Sequence, residues 1–190
     1  MKNKTSRLSA VVCVVVLAVS SIQAQHEPKY KELPNFHKVS EQLYRGAQPL
    51  KGGTSKLAEL GIKTVINLRG PDDRVSGEQK ETESAGLRYF NIPMPGLSAP
   101  SDEQVAQALA IMNDPNNQPV FIHCKRGSDR TGTITAIYRI SRESWTADRA
   151  IAEARANGMS WAEFGMRSYI SNYYRQQVRG QSQSTAATNR

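Results

Sequence analysis

The segment HCKRGSDRTG, His123–Gly132, places a cysteine ahead of a turn rich in glycine and cations. The apolar run PVFIH before it predicts a strand, and TGTITAIYRIS, which overlaps its end, predicts a helix. A short loop that enters a helix presents its backbone N–H groups inward, and with the helix dipole it forms a site for a tetrahedral oxyanion. The same positive field lowers the pKa of a cysteine at the first loop position. Cys124 is therefore a candidate thiolate nucleophile for attack on phosphorus.

Other residues of this loop are expected to support that chemistry. Arg130 lies six residues after Cys124, and its planar guanidinium can hold two phosphate oxygens in the ground state and in the transition state. Thr131 carries a hydroxyl that can donate to the cysteine sulfur when water cleaves a phosphoenzyme. Gly127 permits a tight turn, and His123 is expected to orient the loop through hydrogen bonds rather than to act as a base.

The spacing Cys124, five residues, Arg130, Thr131 resembles the Cys-x5-Arg-Thr signature of the protein tyrosine and dual-specificity phosphatases. LYRGAQP, TVINLR and NIPMPG are similar in order and spacing to segments of bacterial secreted dual-specificity-like phosphatases and of the plant and fungal atypical ones. The resemblance covers about Leu43 to Tyr174. It implies a phosphatase without a cofactor or metal that acts through a phosphocysteine on phosphotyrosine, phosphoserine or phosphothreonine proteins. Inositol polyphosphates or phosphoinositides are the alternative substrates.

The substrate-binding set is expected to lie in and beside the loop, at Lys125, Arg126, Gly127, Ser128 and His123. The backbone amides of residues 125–130 would form the phosphate cradle. If the side chains of Lys125 and Arg126 point into the pocket, they favour substrates with several phosphates. If they point outward, they are solvated and carry no such preference.

The resemblance also implies a general acid that protonates the leaving oxygen. Asp102 is one candidate, although an acid in the first turn of a helix also stabilises the helix dipole. Asp129, beside Arg130, either donates the proton or braces the loop by pairing with a nearby cation. Asp72 and Asp73 are further candidates, or belong to a solvated turn. We rank Asp102 and Asp129 close together, with Asp102 slightly ahead and Asp72 behind.

The rest of the chain alternates predicted strands with predicted helices, which indicates one α/β layered domain with a central, mostly parallel sheet flanked by helices. The resemblance makes this fold dual-specificity-phosphatase-like. Ligands of such sheets bind outside the carboxyl ends of the strands, where the Cys124 loop falls. The predicted strands are QLYRGAQPL, IKTVINL, LRYFNI and PVFIH, and the predicted helices are GGTSKLAELG, EQKETESAG, the run after the N-cap Ser101, TGTITAIYRIS, TADRAIAEARA and FGMRSYISNYYRQQV. RGPDDRVSG is predicted as a loop.

The first residues have the layout of a secretory signal, with cations before an apolar run and a small residue, Ala24, at the expected cleavage point. We expect three regions: residues 1–24 as a signal peptide, 25–178 as the phosphatase domain and 179–190 as a disordered polar tail. A retained membrane anchor is the alternative to cleavage. After cleavage, Cys124 is the only one of the two cysteines left, so it has no partner for an internal disulfide.

The charge and composition constrain the partners. The net charge falls from +8 to +5 when Lys2, Lys4 and Arg7 are removed, which is too modest for a nucleic-acid-binding protein. We expect an exported monomer, periplasmic or secreted, with no stable membrane insertion after signal cleavage and a phosphorylated protein or inositol phosphate as substrate. A sulfurtransferase is a second enzyme class, although the Thr131–Gly132 ending argues against it. A secreted module that binds an anion without turnover is the non-enzymatic alternative.

Overall fold

A computed structural model describes residues 29–70 and 73–188, with side chains at 29–70 and 75–180. The predicted signal peptide, residues 1–24, and Asp72 lie outside the described residues. No helix within the described part of the chain combines the length and the apolar character that a membrane crossing needs.

The described chain forms one five-stranded sheet in the order β1-β2-β5-β3-β4. Its strands are β1 (His37–Lys38), β2 (Leu43–Ala47), β3 (Thr64–Asn67), β4 (Arg88–Asn91) and β5 (Val120–Cys124). Only the short β1 is antiparallel to its neighbour; the other three pairings are parallel. The predicted mostly parallel α/β sheet is therefore confirmed. All five residues of β5 are buried, and this central strand ends at Cys124.

Within the described residues, six α-helices flank the sheet: α1 (Gly53–Glu59), α2 (Asp73–Ser84), α3 (Asp102–Asn113), α4 (Asp129–Glu143), α5 (Ala147–Ala156) and α6 (Phe164–Thr188). A 3₁₀ turn, Pro115–Asn117, precedes β5. The predicted N-cap at Ser101 is confirmed by a capping box. The Ser101 hydroxyl accepts from the Gln104 N–H at 3.3 Å, while the Gln104 side chain accepts from the Ser101 N–H at 2.8 Å.

The two faces of the sheet are covered by different helices. Side chains of α3 and α4, such as Met112 and Ile134, pack with Ile66 and Ile122 on one face. Leu57 of α1 packs with Phe121 on the other face. The threonine-rich start of α4 is helical because it is buried: Thr131, Thr133 and Thr135 are each 0% exposed, so packing outweighs their low helix propensity.

Two helix boundaries differ from the prediction. Helix α2 begins at Asp73, inside the predicted RGPDDRVSG loop, because a single glycine such as Gly77 costs a helix only about 1 kcal/mol and does not end it. Helix α6 continues to Thr188, through most of the segment predicted to be a disordered tail. That segment has one glycine, Gly180, and no proline, so nothing in its sequence forces the helix to stop.

Candidate active site

The loop between β5 and α4 is pressed against β2. Gly127 has φ +72°, a left-handed conformation that residues with a β-carbon rarely adopt. A β-carbon at this position would lie 2.5 Å from the carbonyl carbon and oxygen of Gly46 and 2.6 Å from the nitrogen of Ala47. Since those atoms belong to a strand paired with β5, they cannot retreat easily. The loop path therefore requires glycine at position 127.

Cys124 lines a pocket of about 230 Å³. The pocket is lined by Gly96, Cys124, Lys125, Arg126, Asp129 and Arg130. Burial acts to raise the pKa of the Cys124 thiol, which is 3% exposed. The Thr131 hydroxyl, the backbone N–H groups of Thr131 and Arg126, and the charge of Arg130 outweigh burial, so the pKa is lowered from its usual value. The loop thus favours a thiolate at the position predicted for the nucleophile.

Thr131 occupies the first turn of α4, next to the sulfur. Its hydroxyl is buried and makes no standard hydrogen bond to any residue that the structure describes. The hydroxyl proton is therefore available to Cys124, and its interaction with the thiolate is the strongest of those that lower the thiol pKa. From this position the Thr131 hydroxyl can donate a hydrogen bond to the cysteine sulfur, which is the role predicted for it.

Arg130 reaches across the carboxyl ends of the strands. One of its terminal nitrogens donates to the carbonyl oxygens of Leu68, at 3.2 Å, and Met94, at 3.4 Å. These carbonyls follow β3 and β4, so the half-buried guanidinium is held over the sheet edge while it lines the pocket of Cys124. A planar cation in that position can clamp a bound phosphate.

Asp129 lies in the pocket wall, with both carboxylate oxygens in use. One oxygen accepts from a terminal nitrogen of Arg126 at 2.7 Å, and the other accepts from the backbone N–H of Ser160 at 2.9 Å. The side chain is buried and ties the loop to the segment between α5 and α6. This is the arrangement expected of an acid that braces the loop.

Asp102 is placed differently. It is exposed at the start of α3, and its carboxylate accepts a hydrogen bond of 2.5 Å from the Tyr169 hydroxyl of α6. Burial and that hydrogen bond raise the pKa of Tyr169, which keeps the phenol protonated as the donor. Asp102 does not belong to the described lining of the Cys124 pocket. The structure therefore brings Asp129, but not Asp102, into that wall, while Asp73 begins α2 and Asp72 lies outside the described residues.

The remaining predicted binding residues divide into exposed and buried groups. Lys125 and Arg126 are exposed at the pocket mouth. Ser128 is 8% exposed, and its hydroxyl donates to the carbonyl of Arg126 at 3.4 Å. His123 is fully buried, and its Nδ1 lies 3.2 Å from the Cys124 carbonyl oxygen. His123 thus contacts the loop backbone and is not exposed to a substrate.

Two buried charged residues at the site were missed by the sequence analysis. Glu78 of α2 is 4% exposed, and one of its oxygens lies 2.7 Å from His123 Nε2. Its other oxygen accepts from the side-chain amides of Gln48 and Asn67. Arg45 of β2 is 1% exposed and donates to the Gly127 carbonyl at 2.7 Å. The sequence signal for both is weak, since a polar helix and a short strand usually place such residues on the surface.

No cluster of three or more His, Cys, Asp or Glu side chains suited to a metal ion occurs among the described residues. The chemistry that the described groups can supply is that of a thiolate, an arginine and a set of backbone N–H donors around one anion site.

The known proteins to which this chain is similar are phosphatases. A sequence model described as "DSP-PTPase phosphatase fused to NAD+ Kinase" matches residues 20–185. The dual specificity protein phosphatase TpbA of Pseudomonas aeruginosa is 30% identical over 124 residues, which cover 65% of this chain and 55% of TpbA. The chain therefore spans little more than half of that relative. The inositol diphosphatase DSP5 of Arabidopsis thaliana is 27% identical over 139 residues, 70% of this chain and 67% of DSP5.

The fold is similar to that of the core catalytic domain of the PP-IP phosphatase SIW14 from S. cerevisiae, solved in complex with citrate. The two structures superpose with a TM-score of 0.68 at 25% identity, covering 81% of this chain and 94% of that domain. Because the similarity covers 81% of this chain, it extends well beyond the Cys124 loop.

Proposed function

Since this chain belongs to the DSP-PTPase family of phosphatases, we propose that it hydrolyses phosphate monoesters through a phosphocysteine formed at Cys124. The observation that carries the proposal is that Cys124 and Arg130 line one pocket at the start of helix α4, where the surrounding donors lower the pKa of the thiol. A thiolate beside a guanidinium and a helix N-terminus combines a nucleophile with an anion site.

The reaction would proceed in two displacements. In the first, the Cys124 sulfur attacks phosphorus, the bond from phosphorus to the ester oxygen breaks, and the leaving oxygen takes a proton from a general acid. In the second, water attacks phosphorus and gives a proton to the carboxylate that acted as the acid. The phosphorus–sulfur bond breaks, which releases inorganic phosphate and the Cys124 thiolate, and Thr131 donates a hydrogen bond to the departing sulfur. Arg130 holds the phosphoryl oxygens throughout, and neither step requires a metal ion.

A turnover assay tests this proposal against its alternatives. We expect hydrolysis of p-nitrophenyl phosphate in the presence of EDTA, and no transfer of sulfur from thiosulfate to cyanide. Absence of turnover combined with tight phosphate binding would favour the anion-binding module. Sulfur transfer without phosphatase activity would favour the sulfurtransferase.

For the substrate we propose a phosphorylated protein, in keeping with the name of TpbA as a dual specificity protein phosphatase. A second candidate, an inositol polyphosphate, is supported by the exposure of Lys125 at the mouth of the pocket, where its charge can meet a further phosphate. Arg126 is exposed beside it, and Asp129 offsets part of its charge. The names of DSP5 and SIW14 refer to such substrates.

The Lys125→Gln variant separates these two candidates. If the substrate is an inositol polyphosphate, the variant should increase the KM for it far more than the KM for p-nitrophenyl phosphate, because only the larger anion reaches Lys125 at the mouth of the pocket. Lys63→Gln is the matched control, since Lys63 is also exposed but precedes the amino end of β3, away from the site. Equal effects on both substrates would favour the phosphoprotein.

For the general acid we propose Asp102 or Asp129, and a comparison of leaving groups tests them. The loss of a true proton donor costs roughly 10²- to 10⁴-fold with a poor leaving group and much less with one that departs unprotonated. We expect either Asp102→Asn or Asp129→Asn, but not both, to slow phenyl phosphate far more than p-nitrophenyl phosphate. Asp129→Asn slowing both substrates alike would identify it as a brace. Failure of both variants to discriminate would assign the proton to Asp72, Asp73, the substrate or water.

We propose that the mature protein begins near Gln25 and works outside the cytoplasm, because residues 1–24 have the charge and length of a signal peptide. The intact mass of native protein provides the test. Retention of Met1 to Ala24 in the purified protein would reject cleavage.

A further inference from the structure

Arg45 is a buried cation directly beneath the loop of the active site. It is 1% exposed, and its one assigned hydrogen bond runs from a terminal nitrogen to the Gly127 carbonyl at 2.7 Å. The other terminal nitrogen and Nε are buried and have no hydrogen-bond partner among the residues described. A guanidinium with two unpaired nitrogens in the interior is unfavourable unless a negative charge lies near it.

The strand register places Arg45 on the same side of the sheet as Cys124. In the parallel β2–β5 pair, Arg45 lies opposite Ile122 and Ala47 lies opposite Cys124. Side chains two residues apart on a strand share a face, at a spacing of roughly 7 Å. The guanidinium therefore lies one residue pair below the sulfur, on the face that α4 covers.

Two groups attract the Arg45 guanidinium, the Glu153 carboxylate and the Cys124 thiolate, and Glu153 attracts it more strongly. Glu153 of α5 attracts it, but this carboxylate is already paired with Arg139 at 2.6 Å, and Arg139 itself repels Arg45. Burial lowers the pKa of His37, and charge repulsion from Arg45 lowers it further. Around Cys124, the charged or titratable groups are Lys125, Arg126, Asp129 and Arg130, with the His123–Glu78 pair behind the strand.

Arg45 remains charged in this environment. Burial lowers its pKa to about 10, and the attraction of Glu153 and of the Cys124 anion opposes that decrease. A pKa of about 10 lies well above neutral pH, so the guanidinium keeps its proton where the enzyme would work.

We propose that Arg45 is a positioning residue of the active site: a fixed positive charge below the loop that stabilises the Cys124 thiolate and holds the Gly127 carbonyl away from the phosphate cradle. The inference rests on the proposed function, in which Cys124 is the nucleophile. Arg45 of β2 would stabilise the anion site from below the loop, whereas Arg130 lines the pocket itself and would contact the bound phosphate.

The test compares Arg45→Gln, which keeps a hydrogen-bond donor but removes the charge, with Arg45→Lys, which keeps both. The readout is the pH dependence of Cys124 alkylation by iodoacetamide. We expect Arg45→Gln to raise the apparent pKa of Cys124, by less than the loss of the Thr131 hydroxyl does, and Arg45→Lys to raise it much less still. Equal shifts in the two variants, or no shift in either, would overturn the electrostatic role.

A measurement on the wild-type protein covers the case in which a variant does not fold. The NMR signal of Arg45 Nε–H should move with pH at the apparent pKa of the Cys124 thiol, and Cys124→Ser should abolish that movement. A signal that does not follow the thiol titration would overturn the inference. Neither readout requires turnover. If the protein has phosphatase activity but Arg45 and the Cys124 thiol do not affect each other, only the role of Arg45 is rejected. If Arg45 and the thiol do affect each other but the protein has no phosphatase activity, only the proposed function is rejected.

Discussion

Gly127→Ala should damage the active site more than Gly96→Ala, the change at the glycine that lines the Cys124 pocket. The left-handed φ of +72° costs a residue with a β-carbon roughly 1–2 kcal/mol. The new β-carbon would also lie 2.5 Å from the Gly46 carbonyl, where carbon atoms normally approach no closer than about 3.5 Å. The loop must therefore retreat by about 1 Å, and a displacement of that size costs roughly 10²-fold in rate.

The assay combines kcat/KM for p-nitrophenyl phosphate with the melting temperature. We expect the activity to fall by about 10²-fold. Overpacking adds about 1–3 kcal/mol to the backbone strain, about 2–5 kcal/mol in all, so at about 2–4 °C per kcal/mol the Tm should fall by roughly 4–20 °C. Gly96→Ala is the matched control, because Gly96 lines the same pocket and an added β-carbon there meets nothing within 4 Å. If Gly127→Ala behaves like Gly96→Ala, the close packing of the loop on β2 is wrong.

Two further predictions concern the thiol. Thr131→Val should raise the pKa of Cys124, because it removes the hydroxyl that stabilises the thiolate. Activity needs the thiolate and falls as the pH drops through that pKa, so the acid limb of the pH profile of kcat/KM should move to higher pH. Thr135→Val, which removes another buried hydroxyl from the same helix, should leave the limb in place, and equal behaviour of the two variants would contradict the role of Thr131. Peroxide should inactivate the enzyme in a way that dithiothreitol reverses at first and inorganic phosphate prevents, because a thiolate in an open pocket is readily oxidised. Insensitivity to peroxide would contradict a reactive thiolate at Cys124, which is buried but lines the pocket.

The parts of the site that lie close together in sequence could be predicted from it. Strand β5, the loop after Cys124 and the start of α4 follow one another along the chain, and their roles depend on spacing and on backbone geometry. Ser101 and its capping box are also local, since both partners lie within one helical turn. Such features need no knowledge of what packs against them.

The parts that depend on contacts between distant segments could not be predicted. Arg45 lies on a strand whose pattern does not reveal that both faces are covered, so its burial follows only from the packing of β2 beside β5. Glu78 is one of several acids in a polar helix, and only the tertiary fold brings it against His123. Asp102 has its hydroxyl partner 67 residues away, on α6. Long-range pairing of this kind leaves no periodic signal in the sequence.

The central claim is that phosphoryl transfer passes through Cys124, and acid quenching of the reaction tests it most directly. Wild-type protein mixed with p-nitrophenyl phosphate in EDTA and quenched during turnover should carry one phosphoryl group, located on the peptide that contains Cys124. Cys124→Ser should fold, bind vanadate and show neither the adduct nor turnover, because the cradle remains and the nucleophile does not. Substantial turnover by Cys124→Ser, or a phosphoryl group found on another residue, would contradict the mechanism.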